Sequence, residues 1–206
     1  MTEKVYHYPF WIRLWHVINA LLCLALIFSG LSMQFSEPDR PLLIRFDMAV
    51  TMHNIAAILL SINYLFFLIA NRFSGNRQHY RISDNNYIGM LLTQFRYYTS
   101  GIFKGAKAPF PISAGRKFNP LQQFSYIIIM YGCLPLIFVT GWAMLFPEII
   151  IQDVFGISGL FLTDLLHIIA GFTISLFLVV HVYFCTMGAK LSSLFKGIIN
   201  GWVEVH

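Results

Sequence analysis

Four histidines, His16, His53, His167 and His181, stand inside stretches otherwise fit for hydrocarbon. Ionisable side chains are rare in such segments and mark function by default. His167 and His181 are fourteen positions apart, which at 100° and 1.5 Å per residue turns about 1,400° and rises about 21 Å. That is roughly 40° short of four full turns, so both imidazoles share one side of a helix at two depths. With four membrane crossings starting inside, His16 and His181 fall at the inner level and His53 and His167 at the outer one. Paired imidazoles at two levels are what two six-coordinate haems require, because porphyrin supplies four equatorial nitrogens and the protein two axial ones. Zinc fits less well, since it wants three or four clustered protein ligands. A proton relay would mix histidine with carboxylates along one path. One membrane histidine alone could be a packing residue bonded to a carbonyl; four at paired depths argue against that.

The elements that must position these residues follow from composition. The chain has 206 residues, 57% of them hydrophobic, 17% aromatic and 11% charged. A soluble domain carries about 25% charged residues, so lipid is the expected solvent. Four charge-poor stretches, about 13–33, 47–70, 120–146 and 163–189, reach the roughly 20 residues that cross a hydrocarbon core. The expected fold is all-α, a four-helix membrane bundle forming one domain over residues 1–206. The first stretch contains Trp15, His16 and Asn19, which a secretory leader would avoid, and reads as a retained span. Of the 14 Lys and Arg residues, twelve flank the termini or lie in the loop 71–119; only Arg40 and Arg45 fall in the other connections. The positive-inside rule then puts both termini and the long loop in the cytoplasm. The net charge of +5 is topological and gives no reason to expect nucleic acid as a partner. Glu37, Asp39, Asp47, Glu148, Asp153 and Asp164 make the opposite face acidic.

Within the long loop, "NNYIGMLLTQFRYYTSGIFKG" has apolar residues at helical spacing and predicts an amphipathic helix at the interface. Prolines in "KAPFPISAGRKFNP" then turn the chain. The outer loops are too short for a catalytic domain, so chemistry outside belongs to another polypeptide. Gly30 lies fourteen positions after His16, on the same helix side at the outer level. Gly171 sits one turn from His167, and Gly132 and Gly141 interrupt the third span; glycine lets a macrocycle approach the backbone. Arg13 and Arg72 inside, and Arg40 and Arg45 outside, could pair with haem propionates or anchor at headgroups. Cys23, Cys133 and Cys185 stand alone as packing residues, with no C-x-x-C-H for covalent haem. His7, His79 and His206 lie outside the spans and read as solvated.

"WIRLWHVINALLCLALIFSGL", "MHNIAA", "FNPLQQFSYIIIMYGCLPLIFVTGWAM" and "DLLHIIAGFTISLFLVVHVYF" resemble the bacterial di-haem cytochrome b membrane subunits of thiosulfate reductase, formate dehydrogenase and nickel–iron hydrogenase. The opening and the threonine–glycine of the third span look nearest the thiosulfate reductase type. The resemblance implies two b haems, with His16 and His181 ligating the inner and His53 and His167 the outer. It also implies a menaquinone or ubiquinone site near the inner haem, at Asn119, Gln122 or Gln123, with Tyr126 and Asn19 as weaker candidates. One departure is that Trp15 precedes the first-span histidine and Val17 follows it, where family members often have tryptophan next.

The leading expectation is an electron conduit in the inner membrane, the quinone-reactive subunit of a respiratory oxidoreductase. It would link quinone on the cytoplasmic side to a periplasmic iron–sulfur or multihaem cytochrome c partner. A stand-alone cytochrome oxidising superoxide is the second reading, disfavoured because an anion is steered by positive charge. A haem-free histidine-bearing transporter is the third.

Overall fold

The computed structural model describes residues 3–37, 40–113, 115–186 and 193–205. In chain order its main elements are β1 (Glu3–Tyr6), α1 (Phe10–Phe35), α2 (Phe46–Phe73), α3 (Tyr87–Arg96), α4 (Pro120–Ile128), α5 (Leu134–Leu145), β2 (Asp153–Val154), β3 (Ile157–Ser158), α6 (Gly159–Cys185), α7 (Ser193–Asn200) and β4 (Trp202–Val205). Among them α1, α2, the continuous run Pro120–Leu145 and α6 are long and apolar enough to cross a membrane, at 26, 28, 26 and 27 residues. Even the shortest spans about 39 Å, more than a hydrocarbon core. Large side chains such as Leu21, Phe28, Val139 and Phe172 are exposed along these helices. Such a surface is stable against lipid tails and not against water.

The third span carries its own irregularity. A π-helical segment, Ile129–Cys133, separates α4 from α5. Pro135 follows at the second position of α5, and its ring has no N–H and crowds the carbonyl four residues back. Widening the preceding turn relieves that clash. The expected fourth span, 163–189, starts earlier than anticipated, at Gly159. The hairpin of β2 and β3 hands the chain directly into it, with Asp153 paired to Ser158 and Val154 to Ile157. Its expected end at 187–189 lies outside the described residues, as do Asp39, Lys190 and His206. The loop helix is present as α3; Ile88, Leu92 and Phe95 form an exposed apolar stripe on it, while Gln94 is buried. That is the face an interfacial helix turns to lipid.

The chain divides into two compact units. The first, here the terminal unit, comprises Met1–Arg13, Asn71–Tyr131 and Val179–His206; the second comprises Leu14–Ala70 and Gly132–Leu178. In the second unit the Trp15 and Phe67 rings pack tilted at 4.5 Å, those of Tyr64 and Phe138 at 5.1 Å, and the Trp142 indole donates to Ser61 Oγ. Gly171 faces Ile137. These contacts join the first span to the second, the second to the third, and the third to the fourth.

The terminal unit closes on a small sheet that hydropathy does not reveal. β1 and β4 pair antiparallel, with Lys4 opposite Glu204 and Tyr6 opposite Trp202. Gly201, at φ 88°, turns α7 into β4; any side chain there would collide with the Tyr6 ring and the Tyr8 carbonyl. Behind the sheet sit groups expected to be solvated. His7 is buried, its Nε2 2.9 Å from the Ser113 carbonyl, and desolvation lowers its pKa. His79 is half-buried, and burial, with help from the Lys117 and His7 charges, lowers it to about 4. The solvated reading of His7 and His79 is therefore corrected: the paired termini cover this side of the loop.

Lys117 is buried as well, at 3% exposure. Its Nζ donates to Asn76 Oδ1 at 3.0 Å and lies 4.8 Å from the Tyr8 ring centroid and 5.6 Å from that of Phe118. Asn76 Nδ2 donates to Asn71 Oδ1, and Asn71 Nδ2 to Tyr131 Oη. Two aromatic faces and the Asn76 amide oxygen hold the cation. Desolvation lowers the ammonium to about 8. The unfolded chain keeps that proton up to near pH 10.5 and the folded chain sheds it near 8, so stability from this group rises with pH between those values and is flat below 8. Compared with Lys117→Met, wild-type protein in detergent should gain on the order of 2 kcal/mol between pH 8 and 10. Thermal unfolding midpoints across that window check this; parallel curves for the two proteins would count against it.

Candidate functional site

Two of the four span histidines meet in the second unit. His53 on α2 and His167 on α6 have ring centroids 6.2 Å apart and planes at 61°. Two metal–imidazole bonds of about 2 Å, plus about 1 Å from each ring nitrogen to its centroid, place an axial pair's centroids about 6 Å apart. The observed separation matches that span.

Each ring is held at Nδ1 by a hydroxyl. Ser29 Oγ lies 2.9 Å from His53 Nδ1, and Thr140 Oγ1 lies 2.9 Å from His167 Nδ1. Both hydroxyls donate one turn back along their own helix, Ser29 to the Ala25 carbonyl at 2.7 Å and Thr140 to the Leu136 carbonyl at 2.8 Å. With its one proton committed, each oxygen can only accept, so Nδ1 carries the hydrogen and Nε2 keeps the lone pair. Metal-binding histidines are prepared in this way, the second nitrogen donating to an outer partner that fixes tautomer and ring direction.

A glycine lies against each ring, and at one of them it gives necessary room. A Cβ on Gly30 would lie 3.6 Å from His53 Cε1, in ordinary contact. On Gly141 it would lie 3.1 Å from His167 Cε1, tight enough that the ring would have to move. Among the described residues no three His, Cys, Asp or Glu side chains come together as a metal cluster. A set of two imidazoles suits an iron whose other four positions come from porphyrin. The residues present therefore fit a haem.

His16 and His181 fall one in each unit. His181 Nδ1 faces the Tyr126 hydroxyl at 3.4 Å, and the Cys185 thiol lies 3.8 Å from its Nε2. Tyr126, a weaker quinone candidate from sequence, also packs its ring 4.8 Å from that of Phe118. His16 is half-buried, with the Trp15 indole edge-on at 6.5 Å. Three buried polar atoms without a partner, Arg13 Nε, Trp15 Nε1 and Asn19 Oδ1, belong to residues within three positions of His16. Orphaned groups in an apolar helix each call for an explanation, and a bound polar group is one.

The other sequence candidates have visible work. Arg13 donates to the Ile199 carbonyl and covers the Phe10 ring. Arg40 is exposed, and its backbone exchanges hydrogen bonds with that of Glu37. Arg45 pairs with Asp47 at 3.0 Å on the surface. Asn119 and Gln122 form a reciprocal capping box at the start of α4: Asn119 Oδ1 accepts from Gln122 N at 2.9 Å and Gln122 Oε1 accepts from Asn119 N at 3.2 Å. Asn119 Nδ2 also donates to Tyr98 Oη. Gln123 Nε2 donates to the His79 and Arg81 carbonyls and anchors the loop. Sequence reasoning missed Ser29 and Thr140 as histidine partners. The signal available was each hydroxyl residue standing directly before a glycine already under suspicion, Gly30 and Gly141.

A family model described as prokaryotic cytochrome b561 matches residues 7–201. The protein named "Putative cytochrome YdhU" of Escherichia coli (strain K12) is 36% identical over 201 residues, covering 97% of this chain and 75% of that one. No solved structure matches the chain significantly.

The asymmetry of the two glycines makes a test. Gly141→Ala should displace His167 and lower the haem-to-protein ratio of the purified protein, whereas Gly30→Ala should leave it near wild type. Equal ratios in the two variants would contradict the geometry.

Proposed function

Because the chain belongs to the prokaryotic cytochrome b561 family, a membrane cytochrome b that binds haem b and moves electrons across the bilayer, we propose that it is a di-haem conduit. In this reading electrons pass between quinone on the side of the termini and a redox partner on the other. The observation that carries it is the His53–His167 pair, spaced for one iron and tied at Nδ1.

Haem supplies the one-electron couple when bound. The chain's residues do the rest. His53 and His167 hold one haem, and His16 and His181 hold the other, a pairing that rests on the depth argument from sequence. The Trp15 indole, with a buried donor left over, would take a propionate near His16, and Arg13 and Arg40 are the sequence's candidates for the other propionates. Tyr126 orients His181 as Ser29 and Thr140 orient the other pair. Quinone exchange is assigned to the polar start of the third span. There the capping box occupies the Asn119 and Gln122 oxygens, leaving the Gln122 amide to donate to a quinone carbonyl, while Gln123 holds the loop rigid around it. The orientation, termini in the cytoplasm of an inner membrane, follows the distribution of basic residues.

The partner face carries exposed Glu37, Asp47, Glu148, Asp153 and Asp164 against Arg40 and Arg45. A basic docking patch on an iron–sulfur or multihaem cytochrome c subunit complements it. The same charge disfavours superoxide as substrate.

A reduced-minus-oxidised absorption spectrum of the purified protein should show two b haems, and His53→Ala should remove one of them. Colourless protein would leave the transporter reading standing instead. With a basic soluble cytochrome c as acceptor, Glu148→Lys should slow electron delivery several-fold at low salt and flatten its salt dependence. Asp153 is better changed to Asn, since its Oδ1 also accepts from Gly156 N at 2.8 Å. A rate and salt dependence unchanged in both variants would rule the docking face out.

A further inference from the structure

The two hydroxyl–histidine contacts repeat one another in detail. On α1 the dipeptide Ser29–Gly30 faces His53 of α2; on α5 the dipeptide Thr140–Gly141 faces His167 of α6. In both, the hydroxyl takes Nδ1 and the glycine next to it lies against Cε1 of the same ring. In both, the hydroxyl has two carbonyls of its own helix in reach, Ala25 and Leu26 for Ser29, Leu136 and Ile137 for Thr140. Ser29 is 0% exposed and Thr140 5%, so water does not substitute for either oxygen. We infer that Ser29–Gly30 and Thr140–Gly141 are two copies of one positioning device, which sets the ring planes and the reduction potential of the haem held between His53 and His167.

The inference rests on the haem reading above and goes beyond ligation. An imidazole whose Nδ1–H is bonded to an oxygen is a more basic donor through Nε2, and ligand basicity favours oxidised iron. The hydroxyl is itself polarised by donating to a carbonyl, which strengthens its acceptor end in a low-dielectric setting. At Gly141 the missing side chain admits the His167 ring close to the helix, so that the Thr140 hydroxyl can reach it, while Gly30 holds the equivalent place beside His53 with room to spare. Two such contacts from different helices also hold the 61° between the ring planes, because neither imidazole can turn without breaking its bond. Ser29 and Thr140 act through the histidines and are positioning residues.

The test uses full-length, haem-loaded protein in detergent. Ser29→Ala and Thr140→Val remove the hydroxyl at nearly constant shape, whereas Thr140→Ser keeps the hydroxyl and removes the methyl. Potentiometric titration of the b-haem absorption reads the potentials, with His53→Ala identifying which transition belongs to this pair. Ser29→Ala and Thr140→Val should each shift that transition toward the reduced form by about three- to tenfold in equilibrium constant, the upper figure being about 59 mV for one electron. The other transition should stay in place, and the electron paramagnetic resonance of the oxidised iron should change as the planes relax. Thr140→Ser should keep the wild-type potential and resonance. Unchanged potentials in both hydroxyl-free variants, or Thr140→Ser behaving like Thr140→Val, would overturn the inference. Should Ser29→Ala or Thr140→Val lose the haem altogether, Thr140→Ser decides: wild-type haem and potential support the device, and equal loss refutes it. Wild-type protein without haem would instead defeat the parent reading.

Discussion

An imidazole in hydrocarbon has two nitrogens, and neither can turn to water. Leaving one of them unsatisfied costs about 1–3 kcal/mol, enough to matter against the marginal stability of a fold. The second unit answers this by dividing the labour. A hydroxyl takes Nδ1 of His53 and another takes Nδ1 of His167, and each hydroxyl passes its own proton to a carbonyl already inside a helix. What remains is one lone pair on each of two rings whose centroids are 6.2 Å apart. Around it the helices are apolar and their surfaces suit lipid. The site is thus a place in this unit where polar groups converge, and a haem held there would add to the stability of the folded chain.

The terminal unit meets a similar constraint by other means. Buried Lys117, Asn76 and Asn71 are joined into one directed series of hydrogen bonds that ends on the exposed Tyr131 hydroxyl, each amide both accepting and donating. The buried ammonium survives because aromatic faces and an amide oxygen stand in for water, at the expense of a lowered pKa. Two residues beyond β1, Tyr8 brings its ring to Lys117 from the first residues of the chain. The capping box of Asn119 and Gln122 starts the third span beside it. Polar residues that looked like ligand-binding candidates therefore also hold the loop together, and a quinone there would meet a preorganised surface.

Much of the architecture was legible before any coordinates. The spans follow from length and hydropathy, which are local properties, and so does the exposed apolar stripe of α3. The histidines at 167 and 181 share a helix side because the α-helical period makes them do so. Gly30 and Gly141 drew attention as places where a bulky group could come close. The boundaries were less legible: α6 begins at Gly159 because a hairpin precedes it, and the π-helical segment after α4 depends on how Pro135 was accommodated. The short strands gave no hydropathy signal, since four residues pairing across nearly the whole chain leave no local period.

From the sequence alone came the solvent, the crossings and the four imidazoles with the depths expected of them, since each depends on the chain's own periodicity. Tertiary structure alone decided which oxygen meets which nitrogen. Ser29 and His53 are 24 residues apart and Thr140 and His167 are 27, and only helix packing brings such groups within 2.9 Å. It also buried Lys117 and His7, because the covering strands come from opposite ends of the chain. Period and hydropathy act along the backbone, whereas satisfying a buried donor requires a partner across space.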